Sequence, residues 1–212
     1  MRRLYIAIFF VSAAAIGYEI LLMRVLSVVQ WHHFAYMIIS LALLGYGASG
    51  AFIALFRRTL ESHFEAAFAI SALLFSVTMV ACFVAGQRVP FNALELIWDY
   101  RQIPLLSLMY LVFFVPFFFA ACCIGLALTC RSDGISRLYF FDLVGAGAGA
   151  ILIVGALFVV FPQTALIALV ALPLVASVLL GDWRTSRWPL KLGPVSYTHL
   201  RAHETRYTIA DA

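Results

Sequence analysis

Six apolar blocks, each long enough to cross a bilayer, fill most of the chain between Leu4 and Gly181. Nothing else in the sequence constrains the fold as strongly. A helical span needs about 20 apolar residues to cross ~30 Å of hydrocarbon. The blocks cover 4–28, 34–56, 66–85, 105–130, 138–161 and 164–181, with Pro162 and Gln163 making a tight turn before the last. Lipid offers backbone N–H and C=O groups no partner, so each block is expected to be a helix. A soluble core is excluded, because 65% of the residues are hydrophobic and 11% charged, against about 25% charged in an ordinary soluble domain. The expected fold class is all-α, a polytopic six-transmembrane-helix bundle over 1–181.

Orientation follows from the basic residues between spans. One side carries Arg2, Arg3, Arg57, Arg58, Arg131, Arg137, Arg184, Arg187 and Lys191, and the other Arg24, Arg88 and Arg101. Both termini are therefore expected in the cytoplasm, with 182–193 starting a cytoplasmic segment. The net charge of +4 is this topogenic bias, and no nucleic-acid partner is implied. A multi-pass plasma-membrane protein of the bacterial inner-membrane kind is the expected localisation. A cleaved signal peptide ending at Ala13-x-Ala15 is the rival reading of the start, but the apolar run continues well beyond Ala15.

The polar residues inside the blocks are the candidate site. A carboxylate at mid-membrane costs about 2.5–3.5 kcal/mol on insertion scales, so it should face the bundle and find a partner. Glu19 is one; Arg24, five positions on near the outer boundary, is expected either to snorkel or to reach back towards it, and Ser40 of the second span is expected at a similar depth. Asp142 is the other, expected near Arg137, Arg131 or the Arg57-Arg58 pair and at a different depth from Glu19. Each reads either as part of an ion, proton or substrate site or as a structural clasp between helices, and the clasp is the simpler reading. Cys82, Cys122, Cys123 and Cys130 lack metal-ligand spacing and read as small hydrophobes. No catalytic, metal or cofactor site is expected from these spans.

Small residues mark expected helix contacts, since they let backbones approach where hydrophobicity provides no drive. Gly145 and Gly149 form such a ridge, Gly45, Gly47 and Gly50 another, and Ala121 with Gly125 a third. No strand precedes these glycines, so a nucleotide-phosphate loop is a poor reading. Pro116 and Pro173 are expected to kink their spans. In the loop 86–104, Phe91, Leu94, Leu96, Ile97 and Trp98 alternate with Asn92, Glu95, Asp99 and Arg101. That pattern suggests an amphipathic segment on the membrane surface, or a lid. Trp31-His32-His33 marks the turn between the first two spans and reads as interfacial.

The end of the chain reads differently. Residues 195–205, Val-Ser-Tyr-Thr-His-Leu-Arg-Ala-His-Glu-Thr, match the forward translation of a transposase-type sequencing-library adapter. The expectation is that 194–212 are not native, so His199, His203 and Glu204 form no metal site. The gene is then expected to continue past Gly193.

Four motifs together resemble the membrane-embedded N-terminal domain of spermidine synthase-like (polyamine aminopropyltransferase-like) proteins. They are Gly17-Tyr18-Glu19 running on to Arg24-Val25-Leu26-Ser27, Gly45 to Gly50, Val115-Pro116-Phe117-Phe118, and Leu138-Tyr139-Phe140-Phe141-Asp142-Leu143-Val144-Gly145. The resemblance covers roughly 4–181. It implies a membrane-anchoring domain joined to a cytoplasmic Rossmann-type transferase domain, which this chain lacks. The family's Gly-Gly-Gly-Asp-Gly-like adenosyl-binding loop has no counterpart here, so no catalytic residue carries over and no catalysis is expected from this chain alone. The implied partners are the lipid bilayer, the missing transferase domain and a possible second copy. The alternatives are half of a secondary transporter, which would need a second repeat or a homodimer, or a helical scaffold subunit.

Overall fold

Wherever the sequence is continuously apolar, the backbone closes its own hydrogen bonds as helix. The computed structural model describes residues 2–29, 33–92, 95, 98–131 and 134–181. It contains α1 (Arg2–Val29), α2 (His33–Leu55), α3 (Arg57–Ser62), α4 (Phe64–Arg88), α5 (Gln102–Cys130), α6 (Ile135–Ala156) and α7 (Pro162–Leu180). Six of these, all but α3, are long and apolar enough to cross a membrane. The described residues contain no strand. The fold is all-α.

Helix ends depart from the apolar boundaries for local reasons. α5 begins at Gln102 rather than 105, because Pro104 lies in the first turn, where its missing N–H would have had no intrahelical acceptor. α6 stops at Ala156 rather than 161. Pro162 disfavours helical dihedrals at Phe161, which is extended at φ −67°, ψ 149°. The short α3 is polar, and hydropathy alone does not show it. Its Arg57 Nε donates to Glu61 Oε1 at 2.6 Å, one turn along.

Cross-helix contacts fix the direction of each element. Gly145 and Gly149 of α6 lie over Phe9 and Ala13 of α1, in the same order, so these helices run parallel. Gly45 and Ile53 of α2 meet Phe117 and Gly125 of α5, again parallel. Ser76 Oγ donates to the Val170 carbonyl at 3.4 Å, and Ser177 Oγ to the Ala69 carbonyl at 2.7 Å. The reversed order makes α4 and α7 antiparallel. α1, α4 and α6 therefore run one way, and α2, α5 and α7 the other.

α1 is the hub. It packs against α2, α5, α6 and α7, and Tyr18 reaches α4. In its most apolar stretch 61% of residues are buried, against 22% for α6. Away from α1, α6 exposes Leu143, Ile151 and Leu152. Pro116 and Pro173 both lie inside helices and are buried in the bundle.

Candidate functional site

α1 carries the polar groups on its buried stripe. Ser12 and Glu19 are seven residues apart, two helical turns, and so share one face. Ser12 lies in the small-residue run Ser12-Ala13-Ala14-Ala15 and is fully buried. The close approach of α6 brings Asp142 to it, and the Ser12 hydroxyl donates to Asp142 Oδ1. The approach depends on the α6 glycines. A Cβ on Gly145 would meet the Phe9 Cα at 2.9 Å, and one on Gly149 the Ala13 Cα at 2.6 Å. Neither neighbour is a flexible side chain that could yield.

Two expected ion pairs are absent among the described residues. Asp142 pairs with no arginine: Arg57 is held by Glu61, and Arg131 lies over the Phe64 ring at 5.1 Å from its centroid. Glu19 does not pair with Arg24, which is exposed. One reason covers both cases. Arg137 and Asp142, like Glu19 and Arg24, are five residues apart, which turns the side chains about 140° from each other around the axis. Only spacings of three and four place side chains together.

Glu19 is half-buried on the α1 surface near α2. Its neighbour is Tyr46 of α2, which is close enough to feel the charge of both Asp142 and Glu19. The two carboxylates thus stand at different levels along α1, with Tyr46 within electrostatic reach of both. The sequence reading had not singled out Tyr46 or Ser12. The shared stripe of Ser12 and Glu19 was a readable signal for one; nothing in the α2 pattern marks the other. Ser40 is exposed, and its hydroxyl donates to the Tyr36 carbonyl in its own helix at 3.1 Å. α2 and α6 both flank α1 but scarcely touch each other, so the track Ser12–Asp142, Tyr46, Glu19 follows the seam between them.

Beside this track, Tyr18 is fully buried. Its hydroxyl donates to the Met79 carbonyl at 3.3 Å, and its ring lies 5.7 Å from that of Phe117. Gly45 lets α2 approach the Phe117 backbone, where a Cβ would sit 2.9 Å from the carbonyl carbon. Gly47 and Gly50 have nothing within 4 Å among the described residues. Of the three α2 glycines, Gly45 is the one at a helix contact among the described residues.

The remaining candidates sit elsewhere. Cys82, Cys122 and Cys123 are buried, Cys130 is partly buried, and all four are free thiols. Among the described residues, no group of three His, Cys, Asp or Glu side chains could hold a metal ion. In the loop before α5, buried Gln102 accepts from the Asn92 N–H at 3.0 Å and donates to Glu95 at 3.1 Å. Trp98 is 74% exposed. Leu94, Leu96, Ile97, Trp31, His32 and the whole of 182–212 lie outside the described residues, as do the expectations that rested on them.

Chemically, the track is a pair of carboxylates and two hydroxyls in an apolar seam. It can accept hydrogen bonds and hold protons or cationic groups. No family model matches the chain, nor does any curated protein or any solved structure.

Proposed function

We propose that this chain is the membrane-anchoring module of a spermidine synthase-like transferase, an aminopropyl- or methyl-transferase type of protein whose catalytic domain is a separate cytoplasmic unit. One observation supports this reading above others. Three of the four motifs that carry the resemblance meet one another through Tyr18, Gly45 and Phe117, and the fourth packs on the earlier turns of α1. Tyr18 lies against Phe117, Gly45 over the Phe117 backbone, Asp142 on Ser12 and Gly145 on Phe9. A shared set of helix contacts is what a common membrane module would need to retain.

The distribution of charge agrees with that arrangement. Arg2, Arg3, Arg57, Arg58, Arg131 and Arg137 belong to the bundle end where α1 begins, and Arg24, Arg88 and Arg101 to the opposite end. The first end is the cytoplasmic one by the positive-inside rule. α7 runs towards it, so a continuation after Gly181 would emerge where a soluble transferase finds its substrates.

A second reading, half of a secondary transporter, draws on the seam itself. Carboxylates within a bilayer-length bundle are typical of ion and substrate pathways. Sequencing an independent clone through codon 193 separates the two. A strand followed by a glycine-rich adenosyl-binding loop within about a hundred codons supports the anchor, and binding of an adenosyl donor by the longer protein would follow. Six further apolar spans would replace the anchor with the transporter. A natural stop directly after codon 212, with the terminal codons intact in the chromosome, would remove the anchor reading altogether.

A further inference from the structure

At the bundle end where α1 finishes, a cavity of about 450 Å³ opens between α1, α4 and α7. That volume falls within the range of small-molecule sites. Its polar lining consists of Arg24, Gln87 and Gln163, and its apolar walls include Val25, Val28 and Phe83. No carboxylate lines it, and Arg24 has no ion-pair partner among the described residues. The cavity also adjoins the start of α7. There Pro162 occupies the first turn and Phe161 provides no side-chain cap, so the N–H groups of Gln163 and Thr164 have no intrahelical acceptor.

We propose that this cavity binds a phosphate-type anion, with Arg24 as its counter-charge. The guanidinium fork matches an oxyanion in two parallel hydrogen bonds. The Gln87 and Gln163 amides supply further donors, and the positive end of α7 adds to the same field. The anion could be a phospholipid headgroup or free phosphate. The apolar walls, and the position at the end of bilayer-length helices, favour the headgroup. The inference is independent of the transferase reading, because it uses none of the cytoplasmic chemistry that reading requires.

The test uses the whole chain, purified in dodecylmaltoside and stripped of lipid. Its thermal unfolding and its affinity are followed with added phosphatidylglycerol, phosphatidylcholine or inorganic phosphate. Phosphatidylglycerol should stabilise it, and Arg24→Gln should weaken that binding about tenfold, the size of one charge-assisted interaction. Arg88→Gln, at the same end but outside the cavity, should leave binding unchanged. If inorganic phosphate stabilises the protein with the same dependence on Arg24, the site takes the free anion; if phosphatidylglycerol alone does so, it takes the headgroup. Equal binding by wild type and Arg24→Gln would overturn the proposal, as would equal weakening by Arg24→Gln and Arg88→Gln, which indicates surface charge alone. Should Arg24→Gln fail to fold, Val28→Trp provides the second arm. Val28 is 74% exposed, so the ring can fill the cavity without crowding the core. Unchanged phosphatidylglycerol binding in that variant would also overturn the proposal.

Discussion

Replacing Gly149 by alanine should separate α6 from α1 and lower stability more than any other single methyl added to α6. A Cβ there would stand 2.6 Å from the Ala13 Cα and 2.7 Å from its carbonyl carbon, whereas carbon atoms pack best at about 3.5–4.0 Å. The obstacle is backbone on both helices, so α6 must retreat by about 1 Å, a gap that forfeits roughly a quarter to a half of each dispersion contact. Overpacking of this kind costs about 1–3 kcal/mol. The retreat also stretches the Ser12–Asp142 hydrogen bond, and a bond to a charged group contributes about 1.5–3 kcal/mol. At roughly 2–4 °C per kcal/mol for a domain of this size, the two losses together should lower the melting temperature by about 5–24 °C. Gly147→Ala is the internal control: it adds the same methyl two residues away, where nothing among the described residues lies within 4 Å. It should be neutral or stabilise by up to about 1 kcal/mol through helix propensity. Both variants can be followed by intrinsic fluorescence during heating in detergent. Coincident melting curves for Gly149→Ala and Gly147→Ala would refute the close-packing argument.

Three further outcomes follow from other contacts. Ser12→Ala should cost about 1.5–3 kcal/mol by leaving Asp142 without its donor, while Ser12→Ala in an Asp142→Leu background should cost much less; equal costs in the two backgrounds, read from the same melting curves, would argue against the bond. Gln102→Leu should release the turn that Asn92 and Glu95 form with it, seen as faster tryptic cleavage at Arg101, and an unchanged cleavage rate would count against that clasp. The Glu61 carboxylate raises the Arg57 guanidinium above its ordinary value, chiefly by hydrogen bonding. A raised folded-state value contributes stability that is fully present below the unfolded value and lost only as pH rises through the folded one. Because both lie far above neutral pH, Glu61→Gln should shift the melting temperature by the same amount at every pH between 6 and 9; a variant-specific slope in that window would contradict the assignment.

Hydropathy made the six helices legible because bilayer length and backbone self-sufficiency leave few alternatives. It was silent on α3, whose polar residues carry no such signal, and on helix ends set by prolines. The candidate site was half legible. Glu19 and Asp142 stood out as charges in apolar runs, but their partners depended on rotation about the helix axis. Five-residue spacing turns Arg24 and Arg137 away, and the nearest polar groups are the less conspicuous Ser12 and Tyr46. The glycine patterns show the same limit. Gly145 and Gly149 lie over another backbone, whereas Gly47 and Gly50, in an equally suggestive pattern, face away from every described neighbour. A repeat of small residues says that close approach is possible, without saying which face is approached.

The central position of α1 has a consequence for biogenesis. α1 is made more than a hundred residues before α6 and α7, yet it packs against both. Until Asp142 has been synthesised, more than a hundred residues later, Ser12 lacks the acceptor it has in the finished bundle. The nascent chain must therefore keep α1 waiting in the bilayer, sheltered by the insertion machinery or by its pairing with α2, until the α6–α7 hairpin closes around it.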